Sequence, residues 1–66
     1  MKNNLRVARA EVRMTQQQLA DAAGVSRQTV NAIESGKFVP STVLSLKMAR
    51  IFGKRVEDLF ILEDED

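Results

Sequence analysis

The run VSRQTVNAIESGK, Val25 to Lys37, holds the side chains with the clearest chemistry in this 66-residue chain. In a helix turning by about 100° per residue, Arg27, Gln28, Asn31 and Ser35, with the small Ala32 beside them, lie opposite Val30 and Ile33. An arginine fork spans guanine O6 and N7, a Gln or Asn amide matches adenine N6 and N7, and an alanine methyl can touch a thymine methyl. No carboxylate stands on that face, where it would repel phosphate. Arg27 occupies the first turn, where the helix dipole disfavours a cation, and a local cost of this kind marks a surface shaped for an anionic partner. The plainer alternative is a polar face that is merely solvated.

Short helices must position these groups. A first helix is expected from about Asn4 to Met14, capped by Asn3 or Asn4, with Leu5, Ala8 and Val12 buried and Arg6, Arg9 and Arg13 on a neighbouring stripe. Thr15 and Gln18 match a capping box opening a second helix that runs to Gly24, which supplies the left-handed turn. Ser26 is the N-cap of a third helix, with Val25 and Val30 as a hydrophobic staple, and Gly36 ends it. The spacing AAGVS between the second and third helices is that of a helix-turn-helix. In the loop KFVP, Phe38 is expected to plug the core. Ser41 caps a fourth helix to about Phe52, with Leu44, Met48, Ile51 and Phe52 on its apolar face and Gly53 as the stop. A last turn, about Val56 to Phe60, closes the core with Val56 and Leu59. The fold class is therefore all-α with five helices, in one domain spanning residues 1–62.

Composition narrows the function. With no cysteine and no histidine, disulfides, thiolate or imidazole metal sites and the catalytic arrangements built on them are excluded. No nucleophile–base pair stands out, so an enzyme is not expected, and neither a cofactor nor a small-molecule ligand is indicated. No apolar run approaches the roughly 20 residues of a membrane span, and a cytoplasmic protein is expected. The net charge of +1 hides an asymmetry: residues 1–55 carry ten cations against three acids, a balance of +7, and the last eleven residues carry six acids and no cation. A basic body therefore bears an acidic tail, residues 63–66.

Helix termini offer further contacts. Thr15 and Gln16 open the second helix, where free N–H groups and the positive end of the dipole suit a phosphate, and Ser26 opens the third. Lys37 can reach a flanking phosphate, or is simply solvated. Glu34 falls beside the buried side of the third helix and needs a cation if desolvated. Arg9 is the candidate partner, and a solvent-exposed Glu34 is the alternative.

These residues carry a resemblance. The run LRVARAEVRMTQQQLADAAGVSRQTVNAIESGKFVPS resembles the Xre/Cro-type helix-turn-helix DNA-binding family, which includes phage lambda-like repressors, and the likeness covers about residues 4 to 60. Its most specific parts are TQQQLA, Gly24-Val25-Ser26, Ile33 to Lys37, Pro40-Ser41 and Glu57 to Phe60. The resemblance implies a five-helix domain in which Gln16 contacts backbone phosphate, the helix beginning at Ser26 enters the major groove, and Arg27, Gln28 and Asn31 face bases. It also implies an Arg9–Glu34 ion pair. Thr42 and Ser45 depart from positions often aliphatic in the family, and Ala32 stands where some members present a polar base reader.

Together these features predict a sequence-specific regulator of transcription, a homodimeric repressor on a near-palindromic stretch of double-stranded DNA. Phe60, Ile61 and Leu62 form an apolar cluster beyond the expected core. A short C-terminal strand or hydrophobic lock between two subunits is one reading of it, and a frayed terminus covering the core is the other. The rival function is a protein-interaction module, antitoxin-like, that uses the same fold to cover a partner through Val43, Leu46 and the Phe60 to Leu62 cluster.

Overall fold

The computed structural model describes all residues, 1–66, and its elements follow the chain as β1 (Lys2–Asn3), α1 (Leu5–Glu11), α2 (Gln16–Ala23), α3 (Arg27–Glu34), α4 (Thr42–Phe52), α5 (Val56–Leu59) and β2 (Phe60–Ile61). Five helices surround one core, in which Leu5, Leu19, Val30, Ile33, Met48 and Leu59 are fully enclosed. No helix is long and apolar enough to cross a membrane.

Local signals set most helix boundaries. The Thr15 hydroxyl accepts the Gln18 N–H at 3.0 Å, and the Gln18 side-chain Oε1 accepts the Thr15 N–H at 2.8 Å, a complete capping box. Ser26 Oγ accepts the Thr29 N–H at 3.1 Å, and Ser41 Oγ accepts the Leu44 N–H at 3.1 Å. Gly24 ends α2 at φ 74°, a left-handed conformation that a side chain resists. That turn sends α3 across α2 in the helix-turn-helix arrangement.

Three sequence expectations are corrected. Helix α1 stops at Glu11 rather than Met14, because Arg13 adopts φ 55° and reverses the chain. The Met14 N–H bonds Arg9 O at 2.9 Å and the Arg13 N–H bonds Ala10 O at 3.2 Å, the paired hydrogen bonds of a Schellman ending with arginine where glycine is usual. Val12 consequently leaves the buried stripe and is 54% exposed. Phe38 does not plug the core; it is 50% exposed, and Pro40 is the buried residue of that loop. On α4, Ala49 is buried alongside Leu44 and Met48, and Ile51 and Phe52 are only partly covered.

The two chain ends meet. Strands β1 and β2 pair antiparallel, with Lys2 opposite Ile61 and Asn3 opposite Phe60. The C-terminal strand is thus present, and its partner is the chain's own N-terminus. Phe60, 7% exposed, belongs to the core of its own chain, whereas Ile61 and Leu62 remain outside. Beyond them the N-terminal ammonium lies 3.0 Å from Asp66 and 3.2 Å from Glu63. The hydrogen bonds that the ammonium donates to these carboxylates, Asp66 first, raise the pKa of the terminal amine.

Candidate nucleic-acid interface

The outward side of α3 carries Arg27, Gln28, Asn31 and Ser35, all exposed, with Ala32 half-covered among them. Arg27 and Lys37 enter none of the chain's ion pairs. Their charges are therefore not neutralised from within, and the face meets solvent as donors plus two amides. Opposite it, Val30 and Ile33 are sunk in the core and fix the rotation of the helix.

Glu34 anchors the last turn of α3. Its side chain is 0% exposed, and Arg9 from α1 forks onto it, with Nε donating to Oε2 at 2.6 Å and Nη2 donating to Oε1 at 3.1 Å. Arg6 stands farther off, Nε to Oε1 3.7 Å. Burial alone pushes the Glu34 carboxyl up. The hydrogen bonds from Arg9 and then Gln16, with the charges of Arg9 and Arg6, outweigh burial and hold its pKa below the usual glutamate value. The remaining Arg9 nitrogen donates to Met14 O at 2.9 Å, so one guanidinium ties α3 to both α1 and the turn before α2.

Gln16 is drawn into the same network. Its Nε2 donates to Glu34 Oε1 at 3.0 Å and to Asn31 Oδ1 at 3.2 Å, so both amide hydrogens are engaged within the chain. What the N-terminus of α2 leaves open is backbone: the N–H groups of Gln16 and Gln17 have no acceptor in the chain, since the capping box takes those of Thr15 and Gln18. The hydroxyls of Thr15 and Ser26 are occupied as cap acceptors, and the Ser26 hydroxyl also shares a hydrogen bond with Thr29 Oγ1 at 3.0 Å. Lys37 extends from the turn after α3, whose N–H closes on Ala32 O at 2.9 Å.

The structure thus brings Gln16, Asn31, Glu34 and Arg9 into one hydrogen-bonded cluster and leaves Arg27, Gln28 and Lys37 open. Sequence reasoning missed the Gln16–Asn31 link and the role of Asn3, whose Nδ2 donates to Ile33 O at 2.7 Å and ties β1 to the end of α3. The first has a signal in the sequence, since two amides flanking a buried carboxylate will seek it. The second depends on chain ends that only the folded protein joins.

Comparison with known proteins agrees with this geometry. A family profile described as helix-turn-helix matches residues 5–59. Uncharacterized HTH-type transcriptional regulators of Methanocaldococcus jannaschii and Archaeoglobus fulgidus are 52% and 47% identical over 66 residues, covering all of this chain and 100% and 94% of the relatives. The uncharacterized HTH-type transcriptional regulator YgzD of Bacillus subtilis is 46% identical, with both chains covered completely. Among solved structures, the restriction-modification controller protein C.AhdI from Aeromonas hydrophila is similar with a TM-score of 0.78 and 32% identity, over 85% of each chain. With the profile spanning all five helices and the relatives aligned end to end, the chain belongs to the Xre/lambda repressor-like helix-turn-helix family.

Proposed function

We propose that this DNA-binding transcriptional regulator acts as a homodimeric repressor, reading a near-palindromic operator with α3 of each copy and excluding polymerase from it. The observation that carries the reading is the acid-free outward face of α3, on which Arg27 and Gln28 are uncommitted and Asn31 is held beside them. Arg27, Gln28 and Asn31 read base edges. The open N–H groups at the start of α2, with Ser26 and Lys37 at the flanks of α3, supply phosphate contacts. Gln16 contributes to phosphate binding through its backbone N–H, because its side chain is engaged.

Two-fold binding requires recognition helices about 34 Å apart. Ile61 and Leu62 supply apolar surface for self-association, with Phe60 beneath them as support from the core. Leu62 is 77% exposed and borders a groove of ≈ 400 Å³ that Val39, Pro40 and Leu46 also line.

Selection of purified protein against a randomised duplex library near physiological salt tests the reading. The expected result is an inverted repeat with half-site centres about 10 bp apart. Weak, steeply salt-dependent retention with no enriched sequence would refute it. A second reading, an antitoxin-like module that binds a protein, is favoured by the apolar residues Val43 and Leu46, which face solvent from α4.

A further inference from the structure

Helix α4 turns a face of mixed character to solvent. Val43, Leu46, Lys47 and Arg50, spaced i, i+3, i+4 and i+7, form one exposed stripe that lines a shallow groove of ≈ 290 Å³. No acid occurs anywhere on α4, and neither Lys47 nor Arg50 enters an ion pair. Leu46 also lines the larger groove beside Leu62, so the basic stripe and the apolar groove are continuous across that one side chain.

The acids that can answer this stripe follow Leu62. Residues 63–66 close on themselves, with the Glu63 N–H donating to Asp66 Oδ2 at 2.8 Å and the Asp66 N–H donating to Glu63 O at 3.0 Å. Their two carboxylates hold the N-terminal ammonium. This turn leaves Asp64 and Glu65 at its tip, exposed and absent from every ion pair of the chain. They stand two and three residues past Leu62, at most about 10 Å along the chain. Leu46 and Arg50 are one helical turn apart, about 6 Å. A Leu62 seated beside Leu46 can therefore bring the acidic tip to Lys47 and Arg50. Within one chain the two groups do not meet.

We propose that the Asp64–Glu65 tip of one copy docks on Lys47 and Arg50 of a second copy, so that two reciprocal ionic contacts flank the apolar contact of the dimer. The inference rests on the homodimer proposed above and names what covers α4 in it. A two-fold axis that carries Leu62 of one copy into the groove of the other repeats the contact in the opposite direction. Two acids meet two cations at each. Exposed ion pairs contribute little singly and are screened by salt, so the tips supply register and salt sensitivity to an association whose bulk is apolar.

The experiment is charge reversal read by sedimentation of labelled protein diluted from micromolar to nanomolar concentration, without DNA. One protein carries Lys47→Glu with Arg50→Glu, a second carries Asp64→Lys with Glu65→Lys, and a third carries all four changes. The wild-type dimer is expected to weaken by about fivefold or more between about 50 and about 500 mM salt. Each double reversal alone should weaken it by about tenfold or more, and the fourfold variant should recover. Mixing the first two proteins should also recover a dimer, because every α4 stripe then faces a tip of opposite sign on the other copy. Recovery in the fourfold variant but not in the mixture means that the tip serves its own chain, and overturns the inference. A wild-type dimer indifferent to salt or to either reversal overturns it too and leaves the homodimer standing. The tail variant and the salt series decide should the α4 variant lose its helical circular dichroism. A wild type that is monomeric throughout overturns both the inference and the homodimer.

Discussion

Replacing Arg9 with methionine should be among the most damaging single changes outside the apolar core. Arg9 makes two hydrogen bonds to a Glu34 side chain that is 0% exposed, at 2.6 and 3.1 Å, and a third to Met14 O at 2.9 Å. Removing one partner of a buried pair costs about 3–5 kcal/mol, because the other charge is left desolvated. Here Gln16 at 3.0 Å and Arg6 at 3.7 Å still face the carboxylate, and Arg6 is mostly in water, so the lower end of the range, about 3 kcal/mol, is expected. A chain of this size has about 3–10 kcal/mol in total, so the variant should unfold about 12–24 °C lower in temperature. The assay is urea and thermal unfolding followed by circular dichroism, at pH 7 and at pH 4.

Acid supplies the sign. In the wild type the Glu34 pKa is held down, so its contribution is fully present above about pH 4.3 and is lost as pH falls through the lower folded value. In Arg9→Met, burial is no longer outweighed and the folded pKa rises above the unfolded one. Protonation then relieves the variant while it weakens the wild type, and the gap between them should narrow at pH 4. Exchanging both partners, Arg9→Met with Glu34→Leu, should recover most of the loss, since an apolar pair of similar volume carries no orphaned charge. A loss below about 1 kcal/mol at pH 7, or a gap that does not narrow in acid, would refute the assignment of Glu34 as a buried, paired carboxylate.

Three further outcomes are expected. Arg27→Ala combined with Gln28→Ala should weaken binding to the selected operator by about 1–3 kcal/mol per good base contact and leave unfolding within about 0.5 kcal/mol of wild type. Unchanged operator affinity, read by fluorescence anisotropy, would move the assignment to the protein-partner reading. Leu62→Asp should convert a dimer to a monomer in sedimentation at micromolar concentration, and an unchanged dimer mass would remove the C-terminal cluster from the interface. Arg13→Gly should raise stability by about 0.5–1 kcal/mol, the left-handed penalty of a side chain less the extra entropy of glycine, and an unchanged thermal midpoint would show that Arg13 is not strained there.

What was legible in the sequence is what neighbouring residues decide. The caps at Thr15, Ser26 and Ser41 and the turn at Gly24 each involve atoms within about one turn of helix, so residue type at a fixed offset announces them. The end of α1 was not announced, because Arg13 takes the conformation that glycine would have advertised. Val12 was assigned to the core by a helical period that the chain abandons one residue earlier. The pairing of β1 with β2 joins two-residue strands from opposite ends of the chain, too short to show alternation. Phe38 illustrates the converse error: an aromatic is assigned inside by its type, but the turn after Gly36 leaves it facing solvent.

The candidate site divides along the same line, and the division bears on how readout could change without loss of the fold. Helices α2 and α3 have eight residues each, too few to be stable alone, so the attitude of α3 comes from its caps, from Val30 and Ile33, and from the Arg9–Glu34–Gln16 cluster. Arg27 and Gln28 lie outside that cluster, and on the proposed reading they are free to vary with the operator. Asn31 is different, because its side-chain carbonyl accepts a hydrogen bond from Gln16 within the cluster. A substitution at Glu34 would therefore disturb stability and base preference together, whereas one at Arg27 or Gln28 would alter preference alone. On the proposed reading, specificity is separable from folding at the start of α3 and coupled to it at Asn31 through Gln16.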